Sequence, residues 1–161
     1  MKAIISFLMG LGIFLFYACP VFAHCQIPCG IYDDHLRIKM IEEHITTIET
    51  SMSMIQNLNA AKEKDINQLI RWIDNKETHA QYIQDIVNEY FMTQRIKPIN
   101  VSDWPENEKA LRQLTLLHKL LIGAMKAKQT VDLENVKILK ETLKEFEATY
   151  FNETEHKDMK H

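Results

Sequence analysis

Residues 33–60 read DDHLRIKMIEEHITTIETSMSMIQNLNA, and within them Ile41, Ile45, Ile48, Met52 and Ile55 recur at alternating steps of four and three. That spacing returns each side chain to one face of a helix, the seam of a packed bundle. Asp33 or Asp34 supplies the N-cap, since a short carboxylate accepts from the free amides of a first turn. The same rhythm continues downstream. A second segment from about Lys64 to Met92 places Ile66, Leu69, Ile73, Ala80, Ile83, Val87 and Tyr90 on one face. Its stripe breaks at Asn75-Lys76-Glu77, so that turn is expected to be exposed or to sit at a subunit contact.

Pro98 to Pro105 reads as a long loop, after which Ser102 or Asp103 caps a third helix carrying Leu111, Leu114, Leu117, Leu121 and Met125. A short break from Gln129 to Asp132 leads to the last helix, with Val136, Leu139, Leu143, Phe146 and Tyr150 in the same rhythm. Four helices joined by short connections predict an all-α fold, an antiparallel up-down four-helix bundle over residues 33–151. Residues 152–161 form a polar tail. Bundle geometry implies no activity, so function has to be read elsewhere.

Composition agrees with one helical domain. The 161 residues include only four glycines and four prolines, too few breakers for a strand-rich or loop-rich chain. The formal net charge is -3, and no Lys/Arg stripe or basic tail stands out, so no nucleic-acid partner is expected.

The first segment, residues 1–23, reads MKAIISFLMGLGIFLFYACPVFA. Lys2 precedes an apolar run from Ala3 to Phe16, and Val21-Phe22-Ala23 offers small residues at the usual exit positions, the pattern of a secretory signal. A membrane anchor is the rival, but the run is shorter than the roughly 20 residues a spanning helix needs. A lipidated Cys19 is a second rival, disfavoured by bulky Phe16 and Tyr17. With Ala23 the last residue removed by a processing protease, the mature chain begins His24-Cys25. It is then exported to a periplasm or the exterior and keeps no membrane contact.

The three cysteines, Cys19, Cys25 and Cys29, fall within eleven positions, which is no disulfide framework for a small fold. A local Cys25–Cys29 disulfide is the bland alternative, and so short a loop would stabilise little. The chemical alternative uses residues 24–32, His24-Cys25-Gln26-Ile27-Pro28-Cys29-Gly30-Ile31-Tyr32, as a hook. Cleavage would free the His24 amine beside the Cys25 amide nitrogen, the Cys25 thiolate and the His24 imidazole. Amine, amide and thiolate form two fused five-membered chelate rings, which push the donors toward a plane. A turn at Pro28-Cys29-Gly30 can return the Cys29 thiolate to the fourth corner. Planar mixed nitrogen and sulfur donors suit nickel or copper(II) better than zinc, which prefers a tetrahedron. Thiolates and a deprotonated amide also donate strongly enough to lower the Ni(III)/Ni(II) potential.

The pattern His-Cys-x-x-Pro-Cys-Gly-x-Tyr, present as His24, Cys25, Pro28, Cys29, Gly30 and Tyr32, resembles the hook of the nickel-containing superoxide dismutases. The resemblance implies one nickel per subunit, held by His24, Cys25 and Cys29, with Tyr32 guarding access for small anions. It implies disproportionation of superoxide to dioxygen and hydrogen peroxide by Ni(II)/Ni(III) cycling. It also implies a homohexamer of four-helix bundles. In that family a carboxylate on the first helix, paired to an arginine, holds the imidazole. Glu42, Glu43, Arg37 and Arg71 are the candidates here, and the spacing assigns none of them.

His44, His79 and His118 match no short ligand spacing and read as structural or solvated, His118 near the third helix's apolar face. An exported carrier that binds nickel or copper without turnover is the alternative function. It would need the same ligands but no gate at Tyr32.

Overall fold

The computed structural model describes residues 33–99 and 107–151. Helix α1 runs Asp34–Ala60, α2 Ile66–Asp85, α3 Glu108–Gln129 and α4 Glu134–Tyr150. A π-helical segment, Ile86–Arg95, continues α2 without interruption. The described residues contain four α-helices and no strand, which is the predicted all-α bundle. Helix α1 lies beside α2 and α4, and α3 closes the square against the same two neighbours.

Cross-helix bonds fix the directions. Asn75 of α2 donates to Ser51 of α1, while Tyr90 farther along meets Asp34. Gln113 of α3 donates to Thr149 of α4, and Gln56 of α1 donates to the Val131 carbonyl just before α4. Each neighbouring pair is therefore antiparallel. Among the described residues, no helix is long and apolar enough to cross a membrane.

The seams of α1 and α4 sit where their periodicity places them. Ile41, Ile45, Ile48, Met52 and Ile55 are buried, as are Val136, Leu139, Leu143 and Phe146. Each such side chain contributes about 1.5–3 kcal/mol by leaving water. Asp33, not Asp34, is the N-cap of α1: its Oδ1 accepts from the Leu36 amide at 3.2 Å. Asp65 caps α2 in the same way through Gln68.

The middle helices depart from expectation. In α2 only the second half of the predicted face is buried; Ile66 and Ile73 are exposed, and the face turns inward from Lys76 onward. Lys76 is itself 3% exposed, so the break in the stripe is not a solvated turn at that residue. Its Nζ donates to the carbonyls of Ala127 and Lys128, the former at 2.7 Å, and to Glu77 Oε1 at 2.8 Å. An ammonium thus caps the negative end of α3, satisfying carbonyls that have no helical partner.

Helix α3 packs in a different phase from the predicted one. Leu117 is buried, but the rest of the inward face is Leu116, Leu120, Ala124 and Ala127, while Met125 is exposed. This helix is apolar over a wide arc, so spacing alone cannot locate its centre. Small residues decide the matter. A Cβ on Gly123 would stand 2.7 Å from Leu139 Cδ2, so glycine lets α3 approach α4 closely. The turned phase also puts His118 outside, correcting its placement near the core. The helix begins at Glu108 with Asn107 at the N-cap position, too late for Ser102 or Asp103, which lie outside the described residues.

Candidate metal centre

His24, Cys25, Cys29 and Tyr32 all lie outside the described residues, as do the leader and the tail from Asn152. The described chain begins one residue after Tyr32, and what it shows is how that point is anchored. Asp34, in the first turn of α1, carries three donors. Arg95 Nε reaches its Oδ1 at 2.8 Å, Tyr90 Oη donates to the same oxygen, and Tyr150 Oη donates to Oδ2 at 2.7 Å. Arg95 Nη2 in turn donates to Tyr90 Oη at 2.7 Å and its guanidinium lies over the Tyr90 ring, 4.7 Å from the centroid.

The π-helix builds this arrangement. Residues five apart diverge by about 140° on an α-helix, but the wider turn brings them onto one side. Thr93 and Gln94 donate back to the carbonyls of Asn88 and Glu89, five residues earlier, and Arg95 comes over Tyr90 by the same register. Behind the polar cluster Phe91 meets Phe146 edge to face at 5.0 Å, and Tyr150 packs on both. His35 stacks on Phe151 at 3.7 Å, tying the head of α1 to the end of α4.

Burial, followed by donation to Asp34, pushes the Tyr90 hydroxyl above its usual range, and the Tyr150 hydroxyl well above it for the same reasons. Both phenols therefore keep their protons at neutral pH. The cluster is a clamp that joins the head of α1 to the π-helix and to the end of α4. Since the folded pKa values are raised, the clamp's phenolic contribution is complete below the ordinary value of 10.0 and declines as pH rises beyond it. Asp34→Ala should cost about 2–4 kcal/mol in urea unfolding, because it removes the carboxylate that accepts from an arginine and two hydroxyls. A loss within about 0.5 kcal/mol, the range of an ordinary surface change, would show that the clamp holds nothing.

The candidates for holding the imidazole separate clearly. Arg37 lies over the Tyr90 ring at 5.2 Å, at the head of α1. Arg71 is exposed and lies near Trp72 and Asn75, and Asn75 is level with Ser51, two-thirds of the way down α1. It is therefore remote from the head. Glu42 is exposed in the groove facing Lys140 and Lys144, and Glu43 is exposed beside His44. Neither glutamate forms an ion pair with Arg37 or Arg71 among the described residues. Asp34, Tyr90, Arg95 and Tyr150 were not singled out by motif. The available signal was two tyrosines on core seams, since a buried phenol needs a partner.

Two histidines without a motif are brought together. His44 Nδ1 and His79 Nδ1 stand 3.0 Å apart across α1 and α2. Burial lowers both, His44 further through His79 and against the opposing pull of Glu43. No group of three or more potential metal-ligating His, Cys, Asp or Glu side chains occurs among the described residues.

A helical bundle preceded in sequence by a His-Cys pair and a second cysteine four residues on is compatible with a class of metalloprotein that uses nitrogen and sulfur ligands. The model of the nickel-containing superoxide dismutase family matches residues 20–154, a span that takes in the hook and all four helices. The chain belongs to the nickel-containing superoxide dismutases, and is a nickel-dependent oxidoreductase acting on superoxide. No curated protein and no solved structure matches it. The donor set fits the metal: borderline imidazole with soft thiolates is a combination nickel accepts, and residues 24–32 carry no carboxylate of the kind magnesium and calcium sites rely on.

Proposed function

We propose that the dismutase works through a hook made when a protease removes residues 1–23, leaving His24 as the first residue. Exported chains of this kind assemble as homohexamers. His24 supplies its amine and imidazole, Cys25 its amide nitrogen and thiolate, and Cys29 a second thiolate. Nickel held there would supply one-electron chemistry between its two- and three-positive states: one superoxide would give up an electron to become dioxygen, and the next would take up that electron and two protons to become hydrogen peroxide. The thiolates and the deprotonated amide donate strongly, which brings that couple into a biological range. Tyr32 restricts entry to small anions. The Asp34 clamp holds the first turn of α1, which begins two residues after Tyr32.

What carries this reading is the match of the family from residue 20, in a chain whose His24, Cys25, Pro28, Cys29, Gly30 and Tyr32 stand at every fixed hook position. The test is the native mass of protein from a nickel-fed host able to process the precursor. A subunit starting at His24, one nickel each, six to an assembly, and turnover of superoxide is the expected result. A subunit starting elsewhere, or a Cys25–Cys29 disulfide without metal, would sink it. Nickel bound without turnover would make the protein a carrier.

A further inference from the structure

We propose that His44 and His79 form a second metal site, separate in sequence from the hook, for a late divalent ion such as copper(II) or nickel(II). The two rings come from antiparallel neighbours, α1 and α2, and face each other nitrogen to nitrogen at 3.0 Å. Two imidazole nitrogens bound to one ion at about 2.0–2.1 Å stand about 2.9 Å apart at a right angle and about 3.3 Å apart in a tetrahedron. The observed separation is close to the right-angled pair, so adjacent corners of a square or octahedral ion fit better than tetrahedral zinc.

The scaffold is already rigid. His44 precedes buried Ile45, and His79 precedes buried Ala80, so both backbones are fixed by the core. Tyr82 packs against both rings, 5.2 Å from His44 and 5.6 Å from His79, and holds their planes. Both histidines are only half-buried, leaving a path for an ion and for the waters that complete its shell.

Without metal, one ring donates its Nδ1 proton to the other. With metal, both present Nδ1 lone pairs and carry their protons on Nε2, so binding needs a tautomer change but no net proton loss. The exposed Glu43 carboxylate acts on His44 in the sense that favours positive charge, and so offsets part of the ion's charge. Two protein ligands make a site of modest affinity, completed by solvent.

The test is done on the full chain with Cys19→Ser, Cys25→Ser and Cys29→Ser, which removes every thiol and leaves the residues of the four helices unchanged. Copper(II) is titrated at neutral pH and followed by calorimetry and electron paramagnetic resonance. The parent should bind one equivalent more than either the added His44→Gln or the added His79→Gln, with two-nitrogen hyperfine structure lost in both. Equal circular dichroism of the three chains ensures that folded proteins are compared. Equal copper stoichiometry in all three would overturn the site and leave the pair as a hydrogen bond between helices.

Discussion

A chain that keeps even one residue ahead of His24 is expected to lose nickel and dismutase activity together while remaining a folded bundle. The extra residue turns the His24 amine into a peptide nitrogen, whose lone pair is delocalised into the carbonyl. The neutral amine donor is lost, and the chelate ring that begins with it could close only through a second deprotonated amide, a different ligand set. Changes in residues that merely support a metal ligand typically cost 10–100-fold. Loss of a ligand should exceed that, so activity is expected to fall by more than about 100-fold. The check is a form with a single Ala retained before His24, compared with the processed form for nickel per chain, superoxide turnover and helical circular dichroism. Because α1 begins at Asp34 and its cap is Asp33, the bundle has no reason to respond. Normal activity in the extended form would overturn the N-terminal ligand set outright.

Lys76→Met is expected to cost as much stability as the loss of Asp34. Methionine keeps most of the buried stem but removes an ammonium that holds two carbonyls at the end of α3 and pairs with Glu77. Hydrogen bonds from a charged group are worth about 1.5–3 kcal/mol, and a buried acceptor left bare adds a comparable penalty. Part of this is offset because the ammonium no longer has to be stripped of water. The expected net loss is about 2–4 kcal/mol, a fall in Tm of roughly 10 °C for a bundle of this size. Urea unfolding of the two chains measures it. The exposed ion pair Lys137–Glu134 is the contrast, since breaking such a surface pair changes stability by well under about 1 kcal/mol. A Lys76→Met chain as stable as its parent would mean that the capping bonds merely repay the cost of burying the charge.

Helices α1 and α4 were legible because their apolar residues form narrow stripes against polar remainders, so Ile41, Ile48, Leu139 and Phe146 could only face inward. The proposed hook is read from the sequence for a different reason. Its donors would be adjacent in the chain, so its ligand chemistry can be argued without any fold to bring His24 and Cys25 together. The Asp34 clamp was not legible. Tyr150 lies 116 residues from Asp34, and no local pattern couples a first-turn aspartate to the last turn of the last helix.

Lys76 and the phase of α3 belong with the clamp. A lysine in an apolar stripe reads as a break unless a carbonyl end is known to lie opposite, and α2 meets the end of α3 only after the bundle closes. Periodicity states which residues share a face of a helix. Where that face is apolar over a wide arc, as from Leu116 to Ala127, only the shape of the neighbour chooses its centre, here the close approach that Gly123 allows to Leu139. The helices and the family were therefore set by residues near one another in the chain, and the proposed hook rests on the same kind of signal. The clamp, the buried lysine, the π-turn's use and the His44–His79 pair were decided by contacts that exist only between helices, because hydrogen bonds and close packing act over a few ångströms in space whatever the separation in sequence.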